Sequence, residues 1–587
     1  MMDIATMSGL AVTGLRVEFY TDDGIVKAVD GVDFAIRPGV RTGFVGESGS
    51  GKTTTALALM GMIEQPGKVS GGRADLDGLS LLDLSDEEFR QHRLATVSYI
   101  PQGAMNSLNP VARIGAQILD GMIDHGQRLR GSEANDLVAD LLAQVDLSPD
   151  VARMYPHELS GGMKQRACIA IAVALRPRLL IADEPTSALD VITQRRVMET
   201  LRKVQEDIGS SLILIGHDMG LMAQFADEIM VMRDGKVVEQ GNVAEIFLSP
   251  SHAYTRQLIE SVPSLERKTV SAVTPTIAPG DPVDVPLLAF DDVGKTYRSG
   301  RSAVEALKPL SFNLDGDVPR VIAIVGQSGS GKTTLGSLAL GFETATQGKV
   351  SYDGGDIVKM KGSAGARFRR EVQAVFQDPY ASFNPFYKVD HVLSVPLRNF
   401  GIARARAEAL DHMVEACEAV GLDPAQTIHR YAHQMSGGQR QRLMVGRAIM
   451  LQPRLLVADE PVSMVDASLR STILGNLARM KAELGISVLY ITHDLATAYE
   501  VADYVLVLHR GRVVEAGVPE TVIDDPQHPY SRLLVDSIPW PDPNRQWGSG
   551  KTLTEDLEAV ASTDLSKPTI IREQITGFHL GQAGGVR

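Results

Sequence analysis

Cysteine is all but missing from this chain: Cys168 and Cys417 are the only two. Two thiols cannot build a disulfide framework, a four-thiolate zinc site or an iron–sulfur cluster held by cysteine alone, and both are expected to be buried and reduced. Long apolar runs are missing as well. No stretch approaches the roughly 18 uninterrupted apolar residues that a membrane-spanning helix needs, and runs such as Val321-Ile322-Ala323-Ile324-Val325 have the length of a buried strand. The chain is therefore expected to have no membrane span of its own. Met1 to Leu10 contains Asp3 and lacks a basic start followed by an apolar core, so it does not read as a secretory signal, and a cytoplasmic location is expected. Positive charge is in short supply too. A net charge of −14 offers no global attraction to nucleic acid, whose phosphates each require a Lys or Arg, and no nucleic-acid partner is expected.

What is present is a folded composition and a repeat. The chain has 587 residues, 44% of them apolar and 22% charged, which is the balance of a globular protein. At roughly 100 to 200 residues per domain, that length implies several domains. Gly46-Glu47-Ser48-Gly49-Ser50-Gly51-Lys52-Thr53 returns as Gly326-Gln327-Ser328-Gly329-Ser330-Gly331-Lys332-Thr333, displaced by 280 residues. Ser160-Gly161-Gly162 returns as Ser436-Gly437-Gly438, Asp183-Glu184-Pro185 as Asp459-Glu460-Pro461, and His217-Asp218 as His493-Asp494, each displaced by 276 residues. A displacement that holds over such distances means duplication of one domain. The expected organisation is a tail over 1–9, a first domain with a short C-terminal extension over 10–261, and a linker over 262–286 that is rich in Pro, Thr, Ser and Val. A second domain with its extension follows over 287–540. Residues 541–587, polar from Pro541-Asp542-Pro543-Asn544 onward, read as a tail.

In each copy an apolar strand (Thr42 to Val45; Val321 to Val325) runs into a glycine-rich loop, and a helix-forming stretch opens at Thr54 or Thr334. Strand, loop and helix in this order raise the pattern G-x-x-x-x-G-K-[ST] above a chance match. Glycines let the backbone curl so that its N–H groups point at phosphate oxygens, and the helix N-terminus adds a positive dipole end. Lys52 and Lys332 are expected to meet the β- and γ-phosphates of ATP, and Thr53 and Thr333 to hold Mg²⁺. Gly548-Ser549-Gly550-Lys551 echoes the end of this loop without its preceding strand, and reads as tail sequence.

Leu179-Leu180-Ile181-Ala182 and Leu455-Leu456-Val457-Ala458 each run into two acids, the pattern of a central parallel strand buried on both faces. The acids then lie at the carboxyl end of the strand, where such sheets bind ligands. Asp183 and Asp459 suit Mg²⁺. Glu184 and Glu460 suit the general base that activates water. His217 and His493 follow the next apolar runs, and their matching placement favours a contact to the γ-phosphate.

Together these residues resemble the nucleotide-binding subunits of ATP-binding cassette (ABC) transporters, across almost all of both copies. The diagnostic element is the signature loop, Leu159-Ser160-Gly161-Gly162-Met163-Lys164-Gln165-Arg166 and Met435-Ser436-Gly437-Gly438-Gln439-Arg440-Gln441-Arg442. The resemblance implies an α/β fold of two P-loop NTPase cassettes, each a mostly parallel core sheet with a helical signature subdomain and an N-terminal antiparallel β subdomain. It also implies that each signature loop caps the ATP bound by the opposite cassette, so that two composite sites form at the interface of the cassettes. By the same resemblance Gln102 and Gln377 are Q-loop glutamines that touch Mg²⁺. Ser187-Ala188-Leu189-Asp190 and Ser463-Met464-Val465-Asp466 are D-loops, and Phe19 and Tyr297 stack on adenine, with Tyr20 a rival to Phe19. Both sites keep every catalytic group, so both are expected to hydrolyse ATP.

Ser249-Pro250-Ser251-His252-Ala253-Tyr254 and Asp525-Pro526-Gln527-His528-Pro529-Tyr530 resemble the His-Pro-Tyr motif that follows the cassettes of oligopeptide and dipeptide importers, and the stretches from Asn106 to Pro110 and from Ala381 to Pro385 are similar to that subfamily. Many members carry cluster-binding cysteines in the extension, and this chain has none there. The resemblance implies a peripheral ATPase at the cytoplasmic face of the cell (inner) membrane. Its implied partners are two multispanning permease subunits and an extracytoplasmic substrate-binding protein. Peptides are the preferred cargo, with oligosaccharide, nickel and glutathione as alternatives. A soluble tandem ABC ATPase acting on ribosomes or DNA fits less well, since the linker is short and Pro-rich and zinc cysteines are missing.

Overall fold

The computed structural model of the protein describes residues 9–21, 24–103, 107–129, 131–260, 285–300, 302–378, 382–462, 467–545, 547–548, 552–564 and 567–581. Nearly all of the expected linker lies outside the described residues, as do the second D-loop, Asn106, Ala381 and Ser549 to Lys551. The chain divides into two compact units. The first is made of residues up to Leu189, Thr193–Val262 and Pro539–Trp547, and the second of Asp190–Ile192, Pro263–Ile538 and the chain from Gly548 on. No helix among the described residues is long and apolar enough to cross a membrane.

In the first unit, β1 (Leu10–Thr21), β2 (Gly24–Ile36), β4 (Gly67–Leu76) and β5 (Leu79–Ser80) form an antiparallel sheet in the order β2-β1-β4-β5. Leu10, Val12, Leu15 and Val17 of β1 are buried, and Phe34 meets Phe44 edge to face at 5.3 Å in the core beneath them. The second sheet holds β3 (Arg41–Val45), β6 (Val97–Ile100), β7 (Leu179–Asp183), β8 (Ser211–Ile215), β9 (Glu228–Arg233) and β10 (Lys236–Asn242), in the order β10-β9-β3-β8-β7-β6. All pairs are parallel except β9 with β10. Every residue of β7 and β8 is buried, as continuous apolar runs require when both faces are covered. Helices Ile114–Asp124, Ser132–Gln144 and Gly161–Val173 pack through Ile118, Leu142 and Ile169 into a helical subdomain.

The second unit repeats this plan. Strands β11 (Leu288–Ser299), β12 (Ser302–Leu314), β14 (Gln347–Tyr352) and β15 (Gly355–Asp356) form the antiparallel sheet. The mostly parallel sheet is built from β13 (Val321–Val325), β16 (Val372–Val375), β17 (Leu455–Asp459), β18 (Ser487–Thr492), β19 (Tyr504–His509) and β20 (Arg512–Gly517). Cys168 and Cys417 are both buried and neither forms a disulfide, and burial pushes their thiols up to about 12 and about 11 respectively.

The stretch after Trp540, expected as a tail, is instead built into both units. Gln224 Nε2 donates to the carbonyls of Trp540 at 2.8 Å and Asp542 at 2.7 Å, and Trp547 packs against the core of the first unit. A helix over Leu553–Ala561 follows. Then β21 (Ile570–Ile571) pairs with β20, and β22 (Phe578–Leu580) pairs with β12. Phe578 is fully buried, 5.5 Å from the Phe312 ring. Strands of two and three residues carry no readable period, and their partners lie far back in the sequence, so polarity alone suggested a tail.

Candidate functional site

The parallel order β6-β7-β8-β3 brings four carboxyl ends to one edge of the sheet. Asp183 at the end of β7 pairs in register with Ile215 at the end of β8, and Ile100 of β6 with Ala182. The loops that leave these ends carry Gln102, Glu184, His217 and the glycine-rich stretch from Gly46. In the second unit Asp459 pairs with Ile491 and Val325 with Thr492, which gathers Gln377, Glu460, His493 and the loop from Gly326 in the same way.

The glycine-rich loops are curled against their own sheets. Gly51 and Gly331 sit at φ 100° and 106°, and a Cβ there would lie 2.4 Å from the carbonyl oxygens of Ala28 and Ala306 respectively. Only glycine fits such a position. Ser48, Gly49, Ser328 and Gly329 form exposed tips, while Ser50 and Ser330 are buried. Lys52 and Lys332 open the following helices, with Thr53, Thr54, Thr333 and Thr334 in the first turn. Lys52 Nζ donates to Gly46 O and Glu47 O, both at 2.8 Å, and to Ser50 Oγ at 3.1 Å. Lys332 Nζ donates to Gly326 O at 2.7 Å and Gln327 O at 2.9 Å, and burial pulls its pKa down.

Asp183 is fully buried. Burial pushes its carboxyl above the usual range, against the pull of hydrogen bonds from Thr53 and Tyr99. Tyr99 OH donates to Oδ2 at 2.9 Å, while Oδ1 has no close hydrogen-bond partner. A buried, hard carboxylate oxygen with a free lone pair, next to the Thr53 hydroxyl, fits the all-oxygen donor set of Mg²⁺. Asp459 is likewise raised by burial and by the neighbouring Glu460, with Thr333 pulling the other way. The second unit has Ala374 at the register position of Tyr99: Tyr99 pairs with Ile181 and Ala374 with Val457.

Glu184 and Glu460 adopt left-handed φ of 44° and 48°, a strained setting for a side chain that size. Their amides donate to Ile215 O at 2.9 Å and Ile491 O at 2.8 Å, which holds the turn. Each carboxylate is surrounded. Gln102 Nε2 donates to Glu184 Oε2 at 2.8 Å, Ser187 Oγ to the same oxygen at 2.7 Å, and His217 Nδ1 lies 3.0 Å from Oε1. Gln377 Nε2 donates to Glu460 Oε2 at 2.7 Å, and His493 Nδ1 lies 2.9 Å from Oε1. Burial alone would raise both carboxyls, but the histidine hydrogen bonds and charges outweigh it and hold Glu184 at about 2 and Glu460 below its usual range. Tyr99 and Ser187 are site neighbours that the motifs did not single out as such. Tyr99 is brought in only by the pairing of β6 with β7, which local spacing does not encode.

Ser160 and Ser436 cap their signature helices, accepting from Met163 N at 3.4 Å and Gln439 N at 3.3 Å, with Gly161, Gly162, Gly437 and Gly438 in the first turns. Met435 is buried like its counterpart Leu159, as a swap of similar volume allows. Phe19 pairs with Val26 and Tyr297 with Val304, so these two aromatics are register equivalents, and the rival Tyr20 matches Arg298. They are dressed differently. Phe19 packs partly buried against its core, whereas Tyr297 is 39% exposed with Lys295 Nζ 4.9 Å from its ring centre.

Comparison with known proteins identifies the family. The ABC transporter family matches residues 29–187 and 307–463, and the C-terminal region of oligopeptide/dipeptide transporters matches 238–286 and 514–562. The chain is 37% identical over 580 residues to the glutathione import ATP-binding protein GsiA of Salmonella choleraesuis (strain SC-B67), covering 93% of this chain and 92% of that one. Against GsiA of Escherichia coli (strain K12) it is 36% identical over 584 residues, with the same coverage of 93% and 92%. Among solved structures it resembles archaeal ribosome recycling factor aABCE1, crystallised with archaeal ribosomal stalk protein aP1. That likeness has a TM-score of 0.56 at 19% identity, covers 84% of this chain and 87% of that chain, and shows the fold alone. Two matched cassettes, two matched extensions and identity over nearly the whole length make one conclusion: this chain belongs to the ATP-binding subunits of ABC transporters, in the oligopeptide and dipeptide branch, as a fused pair of cassettes whose ATP hydrolysis drives solute import.

Proposed function

We propose that each cassette binds one Mg²⁺-bound ATP at its glycine-rich loop, and that both sites are hydrolytically competent. The loop amides from Ser48 to Thr54 and from Ser328 to Thr334 would cradle phosphate oxygens, with Lys52 and Lys332 turning from their own loop carbonyls to the β- and γ-phosphates. Thr53, Gln102 and Asp183 would hold Mg²⁺ in the first site, and Thr333, Gln377 and Asp459 in the second. When bound, that ion neutralises charge on the β- and γ-phosphate oxygens. Glu184 and Glu460, ionised at neutral pH, are disposed to orient water and accept its proton, while His217 and His493 fix those carboxylates and reach toward the γ-phosphate. Phe19 and Tyr297 would stack on adenine. Ser160-Gly161-Gly162 and Ser436-Gly437-Gly438 would each cap the ATP held by the other cassette.

The observation that carries this reading is the duplicated cluster at the strand ends. A glutamate braced by a glutamine at 2.8 and 2.7 Å and by a histidine at 3.0 and 2.9 Å stands beside a phosphate loop in each unit. The combined substitution Glu184→Gln and Glu460→Gln keeps the shape and removes the base, so ATP turnover should fall by about 10² to 10⁴-fold while ATP binding persists. Near-normal turnover in that variant would contradict the assignment.

The chain works on permease partners in the membrane. We place it peripherally at the cytoplasmic face, with two multispanning permeases and an extracytoplasmic binding protein that selects the cargo. Peptides are the proposed class. Glutathione, itself a tripeptide, is the specific candidate that the 37% identity to glutathione import proteins supports. Reconstituted uptake of glutathione, longer peptides, nickel and oligosaccharides, measured side by side, tests the choice; uptake confined to nickel or oligosaccharide would reject the peptide class.

A further inference from the structure

The His-Pro-Tyr-like segments lie outside every residue assigned above to phosphate, metal or water, yet in each unit they reach the phosphate loop. The backbone N–H of Glu47 donates to the Tyr254 hydroxyl at 2.9 Å, and that of Gln327 to the Tyr530 hydroxyl at 2.8 Å. More than 200 residues of chain separate each pair, 207 in the first unit and 203 in the second. Both tyrosines are buried, at 3% and 0% exposure. Residues of different chemistry pack on the two rings. The Arg233 guanidinium lies 4.8 Å from the centre of Tyr254, and the His509 ring 4.0 Å from that of Tyr530. The hydroxyl contact is the same in both.

The segment is built to hold that hydroxyl still. His252 Nδ1 accepts from Tyr254 N and His528 Nδ1 from Tyr530 N, both at 3.1 Å, so each histidine caps the helix that bears the tyrosine. A carboxylate from the preceding strand clamps the turn before it. Glu239 accepts from Ser251 N at 2.7 Å and His252 N at 3.1 Å, and the fully buried Glu515 accepts from Gln527 N and His528 N, both at 2.9 Å. Ala253 replaces Pro529 in the first copy without loss of the contact, so the hydroxyl, not the proline ring, is the part that reaches the site.

The same stretch of loop is gripped from its other side. Lys52 and Lys332 donate to the carbonyls of Gly46, Glu47, Gly326 and Gln327. An ammonium that turns to a phosphate gives those carbonyls up, whereas a tyrosine bond to the amide does not compete with phosphate and can persist. We propose that Tyr254 and Tyr530 are positioning residues that hold the phosphate loops in their binding curl, so that the C-terminal extension of each cassette sets its affinity for nucleotide. This rests on the reading of the loops as nucleotide sites.

The test is ATP binding to the full-length protein by equilibrium competition, together with steady-state ATPase kinetics. The variants are Tyr254→Phe with Tyr530→Phe, which delete the hydroxyls alone, and Lys52→Ala with Lys332→Ala as reference. The tyrosine variant should bind ATP about fivefold more weakly, the equivalent of one neutral hydrogen bond, with KM raised, kcat within twofold and the unfolding temperature lowered by only a few degrees. ATP affinity within twofold of the wild type, while Lys→Ala abolishes binding, would overturn the inference and leave the nucleotide sites standing. Wild-type protein that binds no ATP would overturn both. Should the tyrosine variant fail to fold, hydrogen exchange on the wild type decides: the Glu47 and Gln327 amides should stay protected with and without ATP, and rapid exchange in either state would overturn the inference.

Discussion

Glu184 and Glu460 show how much of this chemistry is a matter of single residues. Each sits in a left-handed backbone conformation one step past the aspartate that ends its strand, and that kink turns its carboxylate toward the neighbouring Q-loop glutamine and histidine. The aspartates differ between the copies. Tyr99 braces Asp183, whereas Ala374 stands at the equivalent position near Asp459. A partner that orients a metal-binding carboxylate is commonly worth tenfold or more in metal affinity. Tyr99→Phe should therefore weaken Mn²⁺ binding by about tenfold at the first of two nucleotide-loaded sites, read by electron paramagnetic resonance, and leave the second unchanged. Equal weakening of both sites, or of neither, would contradict this role for Tyr99.

At the level of elements, the phosphate loop is held from two directions: by the β3 or β13 strand that feeds it, and by the extension helix that carries Tyr254 or Tyr530. The second unit contains a built-in pH liability at the end of β19. His509 is buried against Tyr530 and its Nε2 has no close partner; burial, with Arg510 and His528 nearby, pulls its pKa down to about 4. His528, the helix cap, is also lowered by burial, partly offset by Glu515. In the unfolded chain a histidine takes up its proton near 6.5. Between those values the unfolded state binds more protons, so the stability contributed by a neutral His509 is full above about 6.5 and is lost as the pH falls toward about 4. The unfolding temperature of the second unit should fall across that window, and His509→Gln should flatten the fall. A slope unchanged by the substitution would remove His509 as its source. The first unit, with Arg233 against its tyrosine, lacks this histidine.

For the whole molecule, the duplication is a shared plan finished differently at the two ends. Only the second unit receives the late strands β21 and β22, which lengthen its sheets by pairing with β20 and β12. Arg320 Nε donates to Thr576 O at 2.8 Å, and the Asp315 amide to Gly577 O at 2.9 Å, fastening the last strand to the start of β13. Covered sheet edges resist pairing with other chains. Deleting residues 549–587 uncovers β12 and β20 and removes the buried Phe578. We expect the truncated protein to unfold at lower temperature and to form concentration-dependent aggregates by light scattering, with the first unit's ATP site intact. A truncated chain as stable and monodisperse as the full one would show that these strands are dispensable.

The duplication, the fold class, and the glycine-rich, acidic and histidine motifs could all be read from the chain alone. They could be because those features are local: a glycine spacing, an apolar run ending in acids, a repeat at constant displacement. Parallel strands buried on both faces also announce themselves as continuous apolar runs, which is why β7, β8, β17 and β18 were legible. Tertiary structure alone decided what lies across from what. The Tyr99 hydroxyl on Asp183, the tyrosines of the extensions on the loop amides, and Phe578 on Phe312 join residues that are between 84 and 266 positions apart. Such contacts leave no periodic trace, because a strand two or three residues long has no period to read and a hydroxyl's partner is set by sheet order, not by its neighbours in the chain.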